Sequence, residues 1–168
     1  MAKTEISTLG EFGLIKHLTK DFPTYQPSTQ KAIGDDAAVL NHKDKRTLVT
    51  TDLLLEGIHF NLEYAPLKHL GYKAAVVNFS DIYAMNATPT QITVSLGISK
   101  RFSVEDLEEL YAGIRLACER YNVDLVGGDT SASMTGLTIS ITCIGTAYDS
   151  DIVYRNGAKV NDLICVTG

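Results

Sequence analysis

The run Leu48-Val-Thr-Thr-Asp-Leu-Leu-Leu-Glu-Gly-Ile-His-Phe60 constrains this chain more than any other, because it reads as a buried strand that ends in chemistry. Leu48, Thr50, Asp52 and Leu54 fall on one face of an extended segment, so a carboxylate shares its face with leucines. A half-buried carboxylate needs a partner, and two threonine hydroxyls stand beside it in sequence. Gly57 then lets the chain turn, so hydroxyl, carboxylate and the His59 imidazole can cluster at one strand end. Asp at a strand end is also ordinary turn chemistry, so this stretch alone leaves a structural cap and a functional cluster equally open.

A chain of 168 residues with 45% hydrophobic and 21% charged residues can bury a real core around such a strand, as one globular domain. The net charge of -5 argues against a general nucleic-acid or anionic-membrane binder, and a polyphosphate ligand would need a metal ion to offset it. Cys118, Cys143 and Cys165 are odd in number and widely spaced, and they read as reduced core thiols. No secretory leader and no membrane-length apolar run is present, so a cytoplasmic protein is expected.

Phe12, Ile15, Leu18 and Phe22 recur at helical spacing, with His17 beside the stripe as a surface or satisfied histidine. Pro23 to Gln30 reads as a loop. Ile33-Gly-Asp-Asp-Ala-Ala-Val-Leu40 is a turn running into a strand, in which Asp35 and Asp36 point to opposite sides and only one enters a given site. The charged link Asn41 to Arg46 would make that strand a neighbour of the Leu48 strand, so that Asp36 and Asp52 face each other. Pro66 opens a long helix on which Leu67, Leu70, Ala74, Val77, Asp81 and Ala84 form a stripe, placing Asp81 among apolar residues with Asn78 one turn away. Gln91 to Ile98 alternates as a strand. Ser103 and Asp106 form a capping box for a second long helix carrying Leu107, Leu110, Ile114, Ala117 and Tyr121, with Tyr111 one step off its stripe. Val123 to Thr130 is a strand that breaks at Gly127-Gly128 and leaves Asp129 where backbone can approach a ligand. Leu137 to Ala147 is a further strand, Asn156-Gly157 a turn, and Leu163 to Thr167 a last short strand.

The expected fold is α+β, a mostly antiparallel sheet with two main helices on one face. Asp36, Asp52, Asp81 and Asp129 each fall at a strand end or on a packed face. Carboxylates converging without a counter-charge repel, whereas hard oxygen ligands lacking a Cys or His cluster suit Mg2+, particularly Mg2+ carrying phosphates. Neither a Gly-x-x-x-x-Gly-Lys-Ser/Thr loop nor a Gly-x-Gly-x-x-Gly after a strand is present, so any nucleotide site is of another kind.

Six motifs in order, Gly10-Glu-Phe-Gly-Leu-Ile15, Gly34-Asp-Asp-Ala-Ala-Val39, Thr50-Thr-Asp-Leu-Leu-Leu-Glu-Gly-Ile-His-Phe60, Asn78-Phe-Ser-Asp-Ile-Tyr-Ala-Met85, Gly127-Gly-Asp-Thr130 and Arg155-Asn-Gly-Ala158, resemble thiamine-monophosphate kinase. Gly-Asp-Asp is shared with the wider aminoimidazole ribonucleotide synthetase-like superfamily, and the third and fourth motifs narrow the match. The resemblance implies transfer of the γ-phosphoryl group of ATP to thiamine monophosphate, giving thiamine diphosphate, with several Mg2+ ions on the phosphates. It also implies that Asp36, Thr50, Thr51, Asp52, Asp81 and Asp129 hold metal, that Tyr111, Gly128, Asp129 and Arg155 contact ATP, and that His59 binds the substrate. Direct in-line transfer needs no protein nucleophile.

Asn86 stands where the family usually has glycine, and asparagine tolerates the left-handed conformation. Such a kinase continues into a second α/β domain, so residues 1–168 are expected to be the N-terminal ATP- and metal-binding half. That half would form a homodimer through its strands and be largely inactive alone. The alternatives are a superfamily ATPase with another acceptor and a non-catalytic dimerisation module.

Overall fold

The computed structural model describes residues 4–33, 39–154 and 156–166. Along the chain run α1 (Gly10–Thr19), β1 (Thr29–Lys31), β2 (Val39–Leu40), β3 (Arg46–Leu55), α2 (Leu67–Ala84), β4 (Thr88–Ile98), α3 (Val104–Tyr121), β5 (Asp124–Ala132) and β6 (Thr138–Ala147). Four strands form one sheet in the order β3-β6-β4-β5. The β3–β6 and β6–β4 pairs are antiparallel and β4–β5 is parallel, its crossover supplied by α3. The fold is therefore α+β with a mostly antiparallel sheet. The last strand, β6, inserts between β3 and β4, so β4 and β6 are central and β3 and β5 are the edges.

That insertion overturns one expectation. The strand before the charged link does not pair with β3: β2 pairs with β1 in a separate two-stranded ribbon, while β3 takes a ten-residue register with β6 from Arg46↔Ala147 to Leu55↔Thr138. A full ladder outcompetes a two-residue one. The Gly127-Gly128 pair does not break β5 either. An extra residue is accommodated between the Ile92↔Leu125 and Thr93↔Gly127 pairs, and the strand runs on to Ala132. Residues 162–166 form no strand, and Leu163, Ile164 and Val166 are each at least 90% exposed. An apolar run becomes a strand only by pairing, and this one pairs with nothing among the described residues.

Two small residues decide how α2 and α3 meet. A Cβ on Gly71 would lie 2.0 Å from the Leu110 carbonyl oxygen, and one on Gly113 would lie 1.9 Å from that of Lys68. The helices touch backbone to backbone, and α2 is turned to make this contact. Its buried face is Leu70, Gly71, Ala74, Ala75, Asn78, Phe79 and Ile82, rotated from the stripe expected from leucine spacing. Asp81 is consequently exposed rather than packed among apolar residues. In α1 the same kind of shift buries Leu14 and leaves Phe12 84% exposed. The capping box of α3 forms as read, with Ser103 N–H donating to Asp106 Oδ2 (2.9 Å), and such caps contribute about 1 kcal/mol. Asn122 ends α3 in the left-handed region at φ 54°.

The core lies between the helices and the inner sheet face, with Ile92, Val94, Ile139 and Ile141 against Leu110 and Ile114. Cys118 and Cys143 belong to it, their thiols pushed up to about 12 by burial, but Cys165 is exposed. At one end of the outer face, buried Asp124 accepts from the Gln26 amide (3.0 Å) and the Thr29 hydroxyl (2.5 Å). Gln91 Nε2 donates to the Ser28 and Thr29 hydroxyls at 2.8 and 2.9 Å. These two buried polar residues, which the sequence patterns did not single out, pin the loop that leads into β1.

Candidate functional site

Strand alternation sends Thr50 and Asp52 of β3 toward α2, and the two elements meet through polar groups along a seam. Thr50 Oγ1 donates to Asp81 Oδ2 at 2.8 Å, and the Asp52 amide donates to Asn78 Oδ1 at 3.0 Å. The spacing suits this double contact: two strand residues advance about 6.8 Å and three helical residues about 4.5 Å, close enough for side chains to bridge. Asn78 is fully buried and its Nδ2 donates to the Ala74 carbonyl at 3.0 Å, so its oxygen is held toward β3. Sequence spacing suggested Asn78 as a partner for Asp81; it instead fixes the backbone of Asp52.

Among the described residues the half-buried Asp52 carboxylate has no hydrogen-bond or ion-pair partner. With Asp81 and the Thr50 hydroxyl it offers two carboxylates and a neutral oxygen. Such hard donors fit a Mg2+ ion that keeps water or phosphate oxygens as its other ligands. No group of three or more His, Cys, Asp or Glu side chains able to hold a metal ion by themselves occurs among the described residues. This donor set therefore needs ligands from outside, which is the usual condition of a Mg2+ ion carrying phosphates. Because Asp81 is exposed, Asp81→Asn is expected to change metal-free stability by less than about 0.5 kcal/mol while removing any rise in unfolding midpoint that Mg2+ gives. A large metal-free change would mean that the carboxylate supports the core.

The other residues singled out are placed differently. Thr51 points to the opposite sheet face, where its hydroxyl donates to the Ile141 carbonyl (3.2 Å) and accepts from Thr142 (3.1 Å). Asp129 lies on that face too, in the row Leu53, Ser140, Ser95, Asp129 that crosses the whole sheet. Three strand spacings of about 4.8 Å put it roughly 14 Å from β3. Gly128 is required by its neighbour strand, since a Cβ there would lie 1.9 Å from the Val94 carbonyl oxygen. Tyr111 is buried edge-to-face against Phe22, ring centroids 6.3 Å apart, its hydroxyl pushed up to about 12 by burial. Asp36, its neighbour Asp35, and Arg155 lie outside the described residues. Asn86 takes φ 56° as expected, and its Nδ2 donates to the Asp151 carbonyl at 2.8 Å.

His59 sits beyond the end of β3 in a tight turn with Gly57 at φ 80°. The Leu55 amide donates to His59 Nδ1 at 3.0 Å, which leaves Nε2 as the protonated nitrogen facing outward. Glu56 anchors the start of this turn. Burial alone would raise its pKa, but the Arg101 guanidinium and the Leu137 amide, 2.8 Å from Oε2, hold it below the usual carboxylate range.

With this geometry in view, the similarities to known proteins have a physical context. Residues 34–147 match the family described as AIR synthase related protein, N-terminal domain. The chain is 35% identical over 161 residues to thiamine-monophosphate kinase of Bacillus subtilis, covering 95% of this chain and 49% of that protein. Among solved structures, thiamine-monophosphate kinase from Stenotrophomonas maltophilia superposes with a TM-score of 0.72 at 29% identity, over 86% of this chain and 44% of that one. AaThiL complexed with AMPPCP and TMP superposes with a TM-score of 0.65 at 35% identity, over 95% and 48%. The chain thus spans about half the length of the relatives it matches. No helix among the described residues is long and apolar enough to cross a membrane. Together, the motif series, the β3-β6-β4-β5 sheet and the match over residues 34–147 place this chain in the AIR synthase related protein family, as its N-terminal domain.

Proposed function

We propose that this chain carries the nucleotide- and metal-binding half of a thiamine-monophosphate kinase. In that reaction an oxygen of the thiamine monophosphate phosphate attacks the γ-phosphorus of ATP. The bond from that phosphorus to the β-bridging oxygen breaks, and thiamine diphosphate and ADP leave. The observation that carries the reading is the β3–α2 seam, where a fully buried asparagine holds the backbone of Asp52, whose carboxylate has no partner among the described residues, next to the Thr50–Asp81 pair. Mg2+ bound there would neutralise phosphate charge. The chain's own residues do the positioning: Asn78 holds the Asp52 backbone, Thr50 orients Asp81, and His59 Nε2–H donates to the acceptor. No covalent intermediate is needed, because placement and charge neutralisation account for most of phosphoryl-transfer catalysis. Asp36, Thr51 and Asp129 as further metal ligands, and Gly128, Asp129, Tyr111 and Arg155 as ATP contacts, belong to the same proposal.

The sheet face away from the helices carries Thr51, Thr142, Thr93, Ser140 and Ser95 beside exposed Val49 and Leu53. We place homodimer contacts on this face, and with them a route by which the far-edge Asp129 of a second copy reaches a phosphate site. Since the matched relatives are about twice as long, little turnover is expected from these 168 residues alone.

Isothermal titration with ATP, with and without Mg2+, tests the reading. Heat that requires Mg2+ supports it. Equal binding without Mg2+, or none in either condition, removes the nucleotide platform from this chain.

A further inference from the structure

We infer that residues 148–153 form a staple across one end of the β3–α2 seam, and that Asn86, which fastens it to α2, is a positioning residue for the metal-phosphate site. The two elements run antiparallel where they meet, with Asn78 opposite Asp52 and Asp81 opposite Thr50. Followed in the same direction, β3 reaches its start at Arg46 about 14 Å beyond Thr50, and α2 with its cap advances about 7 Å from Asp81 to Asn86. Because β3 is an edge strand, its ladder ties it to β6 and leaves its spacing from α2 to side chains. The chain leaving β6 at Ala147 bridges the two ends. On the β3 side, Lys45 Nζ lies 5.3 Å from the centroid of the Tyr148 ring, and Arg46 Nε donates to Asp149 Oδ1 at 3.0 Å. A single 3-10 turn (Asp149–Asp151) carries the chain across. On the α2 side, Asn86 Nδ2 donates to the Asp151 carbonyl at 2.8 Å and the Val153 amide donates to the Met85 carbonyl at 3.1 Å. Ile152, between these two bonds, is half-buried against the core.

The two ends differ in weight. Arg46 and Asp149 are both largely exposed, so their pair guides the segment more than it holds it. The fastening is at α2, where the Val153 amide satisfies one of the carbonyls that a helix end leaves without an intrahelical partner. Asn86 stands in the left-handed region at φ 56°, which asparagine accepts more readily than most residues, so a side-chain donor is available where the turn itself demands an unusual backbone. The effect reaches the seam because Asn86 lies five residues beyond Asp81 at the end of the same helix. Were the end of α2 to tilt away from β3, the Thr50–Asp81 and Asp52–Asn78 bonds would stretch first, since they cross between the two elements. A Mg2+ site assembled from groups on a strand and a helix tolerates little of that play, because the ion demands near-octahedral geometry.

This inference rests on the proposed kinase reading for its ligand and on the hydrogen bonds alone for its geometry. Asn86→Gly tests it in the 168-residue chain, because glycine keeps the left-handed turn and removes only the side-chain donor. Amide hydrogen exchange should become roughly two- to tenfold faster at Val153, the effect of one lost hydrogen bond, and about twofold faster at Asp52, whose amide reports the seam through Asn78. Amides of β4 and β6 should exchange as in the parent. Calorimetric titration with ATP should show the Mg2+-dependent affinity falling about threefold or more, as misplaced ligands imply. Unchanged exchange at Val153, or faster exchange there with Asp52 unaltered, overturns the inference. Equal acceleration of every amide also overturns it, since Asn86 would then stabilise the fold as a whole. So does unaltered MgATP affinity in a variant whose Val153 and Asp52 amides have both accelerated. Acceleration confined to those two amides, in a chain that binds no MgATP even as the parent, sustains the staple while refuting the nucleotide reading.

Discussion

Replacing Gly113 with alanine is expected to destabilise the chain by about 3 kcal/mol, a large fraction of the roughly 5–15 kcal/mol that holds an ordinary domain folded. In an isolated helix the same change stabilises by roughly 1 kcal/mol, because glycine is a poor helix former. The sign reverses here because the new methyl group would lie 1.9 Å from the Lys68 carbonyl oxygen and 2.7 Å from the Tyr72 amide nitrogen. Backbone cannot swing aside as a side-chain tip can, so α2 and α3 must separate, and the contacts between them are lost with the movement. Gly71→Ala makes the reciprocal clash with Leu110 and should behave alike. Gly13→Ala in α1 is the matched control, since its Cβ would meet only Leu9 Cβ at 3.5 Å, an ordinary contact. Urea unfolding of the three variants decides the matter. A Gly113→Ala chain as stable as its parent would mean that α2 and α3 do not touch backbone to backbone at Gly71 and Gly113.

That crossing also shows what local patterns carry and what they omit. The capping box, the two long helices and the alternation of β3 were legible because each depends on residues close in sequence. The rotation of α2 was not. Leucine spacing pointed to a face containing Asp81, whereas the close approach permitted by Gly71 and Gly113 turned the helix to bury Asn78 and expose Asp81. Strand order was likewise beyond local reading. Alternation puts Asp129 on a sheet face, but only the insertion of β6 between β3 and β4 decides that it stands at the edge opposite Asp52. Of the candidate site, the sequence carried the residue types, and the structure brings Thr50, Asp52 and Asp81 to one seam without testing what they bind. Its positioning residue was not legible, because the bond that matters runs from Asn78 to a backbone amide, and a backbone amide has no signature in sequence.

Asp52→Ala should weaken Mg2+-dependent nucleotide binding at least a hundredfold, about 2.8 kcal/mol, while leaving the fold intact. The fold survives because Asn78 holds Asp52 through its main-chain amide, which alanine retains, and the carboxylate itself has no described partner to lose. The carboxylate makes no described hydrogen bond or ion pair whose loss would be felt, so metal-free stability should stay level, within about 0.5 kcal/mol. The effect on binding is large. A Mg2+ ion with phosphate oxygens draws its protein affinity from one or two carboxylates, and Asp81 with the Thr50 hydroxyl would be left to hold it alone. Asn78→Ala separates the two roles. It keeps both carboxylates but leaves a backbone amide without its acceptor, at a cost of about 1–3 kcal/mol in stability, and frees β3 to shift at Asp52. Intermediate loss of nucleotide binding with clear loss of stability is therefore expected for Asn78→Ala, against large loss of binding with none of stability for Asp52→Ala. If both variants bind MgATP like the parent chain, the seam is structural and the nucleotide platform lies elsewhere. If Asp52→Ala unfolds the chain, the carboxylate serves the core rather than a ligand.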